Sequence, residues 1–184
     1  MDRDPQRGAP GLADGVGRTR EDFLLTNADH TDGNRNITVS GGVWDANNRG
    51  NPRGKDGDAN AYTGAGINFV NVENLAVSRL TVRDSDAFFI RIGEVRQFVF
   101  DTIRFEAPHV RPNQDGIHVG GYCEDGVIRN LEGIGDQTPN DDMVALNADD
   151  DIERNINLGM KLGPIRRVTV ENLYADDAWT FLRL

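Results

Sequence analysis

The chain has 184 residues, a formal net charge of −10, 38% hydrophobic residues, 21 Gly and a single Cys. That length allows one domain or part of one. The acidity excludes nucleic acid and anionic membranes as expected partners, no apolar run approaches a membrane span, and Cys123 alone forms neither an intramolecular disulfide nor a Cys-rich metal site.

The start, "MDRDPQRGAP", is charged and lacks the apolar core of a secretory signal. Residues 1–35 read as an N-terminal extension or incomplete first coil, and 36–184 as the main domain. "ITVSGGVW" (37–44) alternates apolar and polar residues, as a strand does. "NNRGNPRGKDGDAN" (47–60) is a long loop of turn residues, which reads either as the wall of a cleft or as a mobile loop. Four later segments share one pattern: "LAVSRLTV" (75–82), "FVFDTIRF" (98–105), "GVIRNLEG" (126–133) and "VTVENLYA" (168–175). Aligned, Val77, Phe100, Ile128 and Val170 form one column, and Leu80, Ile103, Leu131 and Leu173 a second; Val39 fits the first column more loosely. Each segment is followed by a short alternation: "FIRI" (89–92), "GIHV" (116–119), "MVAL" (143–146) and "FLRL" (181–184). The columns step by 23, 28 and 42 residues, and the longest step contains an insertion at 147–165.

Repeats of this length with period-2 alternation and no helical stretch predict an all-β solenoid, whose coils stack and pair at ~4.8 Å. The rival is a β-sandwich, which also has short strands at such intervals. The in-register columns favour the solenoid. "FIRI", "GIHV", "MVAL" and "FLRL" should then lie in one parallel sheet, in that order, with Ile90, Ile117, Val144 and Leu182 stacked inside. Asn130 and Asn172 share a column, and read either as buried side chains bonding the turn backbone or as surface turn residues. The chain stops at "WTFLRL" with no evident cap, which reads as a truncated solenoid. Its open end would expose a sheet edge and predicts self-association.

The acids recur too. "PNQDGIHVGG" (112–121) and "PNDDMVALNA" (139–148) begin alike, and Asp115 and Asp142 stand 27 residues apart, as do Ile117 and Val144. On stacked coils these acids would be neighbours, with Asp141 beside them. Three close carboxyl groups cannot all ionise easily, and glycosidic cleavage needs one protonated and one ionised carboxyl. Asp before Gly is also a common turn residue, so Asp115 alone would mean little. Arg91, His118, Ala145 and Arg183 should point outward as a partly cationic strip beside the acids, suited to a uronate or other polar sugar. Trp179 aligns with Asp141 and would either stack on a sugar face or plug the last coil. His30 and His109 read as surface residues. "ADDDIE" (148–153) is a contiguous acid run and a poor calcium site. No cofactor or metal is expected.

"NQDG" followed one coil later by "NDDMVAL" resembles the polygalacturonases, family-28 glycoside hydrolases, and the wider pectin-lyase-like right-handed parallel β-helices. The resemblance covers roughly residues 36–184. It implies a secreted enzyme hydrolysing a polysaccharide or oligosaccharide with inversion, Asp141 serving as general acid and Asp115 with Asp142 activating the water. It also implies a Gly-His-Gly on a third coil and an Arg-Ile-Lys on a fourth. Here "NLGMKLG" (157–163) stands at the first place, with Leu158 for His, and "LRL" (182–184) at the second, with Arg183 matching its Arg. Two other readings stay open: a polysaccharide lyase, and a non-catalytic glycan-binding solenoid.

Overall fold

We describe residues 23–52 and 63–184 of a computed structural model. They form twelve strands and one short 3-10 turn. Strands β1 (Leu25–Thr26), β4 (Ile67–Val70), β6 (Ile90–Gly93), β8 (Ile117–Val119), β10 (Asp142–Leu146) and β12 (Thr180–Arg183) make one sheet in that order. Strands β2 (Asn34–Ser40), β5 (Val72–Arg83), β7 (Arg96–Glu106), β9 (Glu124–Ile134) and β11 (Arg166–Ala175) make the other, with β3 (Val43–Asp45) also pairing with β5. Every strand pair is parallel. One short and one long strand per coil, each pairing with its counterpart above and below, is a parallel β-helix. The sandwich alternative would need antiparallel strands.

The register reproduces the columns read from the sequence. Ile90, Ile117, Val144 and Leu182 pair in sequence across the first sheet. Val39, Val77, Phe100, Ile128 and Val170 pair across the second, as do Leu80, Ile103, Leu131 and Leu173. These side chains fill one continuous core, tight at its centre and looser at Val170 and Leu173, except that Leu182, expected inside, is 40% exposed on the last strand, which has a neighbour on one side only among the described residues. Strand β4 extends the first sheet one coil earlier. Its four residues are all buried, so it shows no alternation, and periodicity gave no sign of it.

Each long strand bends where two outward residues follow one another. In β5, Val77 and Leu80 both face inward while Ser78 and Arg79 face out. The bend is made by a left-handed residue at the same place in each coil: Arg79, Thr102, Asn130 and Asn172, with φ of 53°, 59°, 56° and 55°. Asn accepts this conformation more readily than Arg or Thr. Asn130 and Asn172 are therefore bend residues on the outer surface, and they bond each other rather than the turn backbone, Asn172 Nδ2 donating to Asn130 Oδ1. A second left-handed column, Asn36, Asn74, Gln97, Asp125 and Arg167, begins the long strands.

Size is also complementary between coils. Phe98 pairs with Gly126, and a Cβ on Gly126 would fall 2.0 Å from the Phe98 ring. The ring uses the space that the glycine leaves free.

The insertion after β10 contains the 3-10 turn Asn155–Asn157 and folds back over the outer face of the first sheet. Met160 Sδ packs so closely on Gly93 and Gly120 that a Cβ at either would lie 2.6 or 3.0 Å from it. Within the loop at 47–60, residues 53–60 lie outside the described residues. His109 differs from the expectation of a surface residue. It is half-buried, and its Nδ1 lies 2.9 Å from Oδ1 of the buried Asp84.

Candidate active site

Asp115 ends the turn before β8, and Asp141 and Asp142 lie at the start of β10 on the next coil. Gly116 makes their closeness possible. Its N–H donates to the Asp142 carbonyl at 2.9 Å, and a Cβ there would meet the Met143 carbonyl at 2.5 Å. Any larger residue would push the two coils apart. Gln114 holds the same turn from beneath, accepting from Arg111 N at 2.7 Å and donating to the Ser85 carbonyl at 2.6 Å. Carboxylate oxygens of Asp115, Asp141 and Asp142 consequently lie within 4.8 Å of one another. A calcium ion takes ~6–8 oxygens, whereas this cluster brings three carboxyl groups, which have a simpler way to relieve their repulsion by sharing protons.

The environment separates the acids. Burial, and then the charges of Asp115 and Asp142, push the Asp141 carboxyl up to about 6, despite opposing pulls from Arg183 and His118. Asp142 is also raised, by burial first and the Asp115 charge second. Asp141 is half-exposed, whereas Asp142 is only 2% exposed. Asp142 Oδ2 accepts no hydrogen bond among the described residues, and Arg183 Nη1 stands 3.5 Å from it. Asp115 is tethered at both oxygens: Oδ2 lies 2.7 Å from His118 Nδ1, and Oδ1 accepts from Asp142 N at 3.4 Å.

The model of glycosyl hydrolases family 28 matches residues 22–161, a span that contains all three acids. The chain belongs to glycosyl hydrolases family 28. Among curated proteins, it is 32% identical over 83 residues to a polygalacturonase of Medicago sativa, covering 45% of this chain and 19% of that protein. It is 30% identical over 70 residues to a polygalacturonase of Persea americana, covering 38% and 15%. The matched stretch thus spans less than a fifth of either relative. No solved structure matches.

In this family-28 chain the outward column of the first sheet runs Asn68, Arg91, His118, Ala145, Arg183. The sequence led us to expect these positions to point outward beside the acids; they share one column, but the structure covers two of the charged members. Arg91 and His118 are each 2% exposed, because the insertion lies over them. Arg91 donates to Asn68 Oδ1 and to the Ile156 carbonyl, both at 2.8 Å. His118 stacks on Phe88 with ring centres 3.8 Å apart, and its Nε2 lies 3.3 Å from Asp150 Oδ2. Ala145 is buried as well. Arg183 alone of the charged members reaches solvent, beside Asp142. Trp179 is 82% exposed, one residue before the Thr180 that pairs with Asp142. Its indole plugs nothing among the described residues.

Asp150 was missed as a participant. It lies within the acid run at 148–153, and no periodicity links it to His118. Residues 157–163, where the resemblance leads one to expect a Gly-His-Gly, are loop apart from the first, and Leu158 is half-buried.

Proposed function

We propose that this chain carries the acid cluster of a polysaccharide hydrolase with polygalacturonase-like chemistry, on a β-helix whose described strands run from Leu25 to Arg183 rather than from residue 36. The observation that carries the reading is the meeting of three carboxyl groups from two adjacent coils, with the proton affinities of Asp141 and Asp142 raised. Asp141 is the general acid. It holds its proton up to about pH 6 and is open to a glycosidic oxygen arriving from solvent. Asp115 and Asp142 lie deeper and hold the attacking water between them. The water oxygen bonds to the anomeric carbon as the glycosidic C–O bond breaks. The Asp141 proton goes to the leaving oxygen, and a water proton goes to the Asp115/Asp142 pair. Arg183 lies where it could pair with a uronate carboxylate, and Trp179 where its face could stack on a sugar ring.

The test is to offer acidic and neutral polysaccharides and follow both new reducing ends and ultraviolet absorbance. Reducing ends without absorbance are expected, since elimination by a lyase would create an absorbing unsaturated sugar. The sign of the pH dependence follows from Asp141, which must be protonated. kcat/KM should fall as pH rises through about 6, and should fall again at lower pH as the proton-accepting Asp142 becomes protonated. Cleavage that rises across the same interval would remove Asp141 from the role of acid. Saturable glycan binding with no cleavage would favour an adhesive solenoid.

A further inference from the structure

The hydrolase reading uses three acids and leaves the buried histidine behind them without a part. His118 is clamped at both ring nitrogens. Nδ1 lies 2.7 Å from Asp115 Oδ2, and Nε2 lies 3.3 Å from Asp150 Oδ2. A neutral imidazole has one N–H, so its second nitrogen would turn a lone pair on a carboxylate oxygen; only the doubly protonated ring donates to both. Phe88 fixes the ring plane, stacked at 3.8 Å with an interplanar angle of 15°. Asp150 is itself held from within the insertion, accepting at Oδ2 from Asn157 Nδ2 at 2.9 Å and from Asn147 Nδ2 at 3.4 Å.

We infer that His118 is a positioning residue, an imidazolium bridging Asp115 and Asp150 that keeps Asp115 oriented toward the attacking water and ties the insertion to the catalytic acids. The inference rests on the hydrolase reading for its catalytic half. The charged groups around the ring are consistent with it. Asp115 faces it from its own turn, Asp141 from the start of β10, Asp150 from the insertion, and the cation of Arg91 stands beside it on β6, while its neighbour on β10 is Ala145. Burial alone would make His118 shed its proton, but the bonds and charges of Asp115 and Asp150 outweigh burial and raise its affinity. Burial likewise works against the Asp150 charge, and His118 overcomes it, holding that carboxyl down at about 2. With Oδ2 committed to His118 and Oδ1 to the backbone of Asp142, the Asp115 carboxylate has little freedom to turn.

The experiment is a pH titration of the imidazole signals by NMR in the full chain and in Asp150→Asn, alongside steady-state kinetics. The chain has three histidines, so His30→Gln and His109→Gln variants assign the signals. His118 should carry two N–H protons through neutral pH in the unmodified chain, and its titration should move down by about one pH unit or more in Asp150→Asn. In that variant kcat should fall about tenfold or more, as when a carboxylate orienting a histidine is neutralised, with KM within about twofold. Asp150→Glu should restore part of the loss. A His118 ring with a single N–H at neutral pH would overturn the inference, and so would an Asp150→Asn variant with unchanged titration and kcat. The titration needs no turnover. A chain inert on every polysaccharide, yet with a doubly protonated His118 that responds to Asp150→Asn, would keep the clamp and overturn only the hydrolase reading.

Discussion

Replacing Asp142 by Asn should lower kcat by ~10²–10⁴-fold, the usual contribution of a general acid–base group, while leaving glycan binding and the fold in place. Asp142 is buried next to Asp115, with its Oδ2 3.5 Å from Arg183 Nη1. Asn keeps the shape but replaces one acceptor oxygen with an NH₂ donor, so the water loses part of its seat and its proton acceptor. The loss belongs in kcat because the group acts on the water rather than on the sugar. Asp115→Asn and Asp141→Asn should cost amounts of the same order. Combining any two should cost little more than the worse single change, since the three act as a unit. Stability should go the other way. Asp142 has a raised proton affinity, so its ionised form is disfavoured in the folded chain, and this cost grows as pH rises above the ordinary carboxylate range. Asn carries no such charge, and the unfolding midpoint near neutral pH should hold or rise. Reducing-end assays and circular-dichroism melts on the same preparations check both halves. Full activity in Asp142→Asn would sink the assignment of the chemistry to this cluster.

Phe100→Ala should destabilise the fold by about 3–5 kcal/mol, the range for truncating a buried Phe. Phe100 is 0% exposed and sits at mid-column, between Val77 below and Ile128 above, with its ring edge-on to Phe98 at 5.8 Å. In a solenoid each coil is stabilised mainly by its two neighbours, so a cavity at this place weakens the β5/β7 and β7/β9 interfaces together. Domains are typically stable by ~5–15 kcal/mol, and this loss is a large share of that. Val170→Ala in the same column should cost much less, because Val170 is only partly buried and fewer atoms lose contacts. Urea unfolding of both variants measures the difference. Equal midpoints for the two would mean that stability does not reside in the inward columns.

Much of the fold could be read beforehand because a solenoid writes its core in registered copies. Val77, Phe100 and Ile128 repeat at nearly constant intervals because each packs on the next, and Asp115 and Asp142 share that register because they sit at one corner of it. Features fixed by tertiary contact left no such trace. The β4 sequence INFV is buried on both faces and does not alternate. Arg91 and His118 read as surface positions because polar residues at outward places usually are. Their burial comes from an insertion whose path has no period. Asp150 shows the same limit: its partner His118 lies 32 positions earlier, and only the fold of 147–163 brings the two within 3.3 Å. The left-handed bends were half visible, as Asn at 130 and 172, and hidden where Arg79 and Thr102 do the same work.

The spacing of the acids also bears on stereochemistry. By the rule for two carboxyl groups, ~6.5–9.5 Å marks inversion and ~5–5.5 Å retention, and a cluster whose oxygens lie within 4.8 Å looks tight for inversion. A retaining nucleophile, however, must be free to bond to carbon. Asp115 is tied to His118 and to the Asp142 backbone, and Asp142 faces Arg183. Carboxylates tethered in this way are suited to holding a water between them. The configuration of the first-formed product decides the matter most directly. Cleavage of a polysaccharide by the full chain, followed by proton NMR before mutarotation, should show the anomer inverted relative to the broken linkage. A retained anomer, or an unsaturated sugar, would contradict an attacking water held by Asp115 and Asp142.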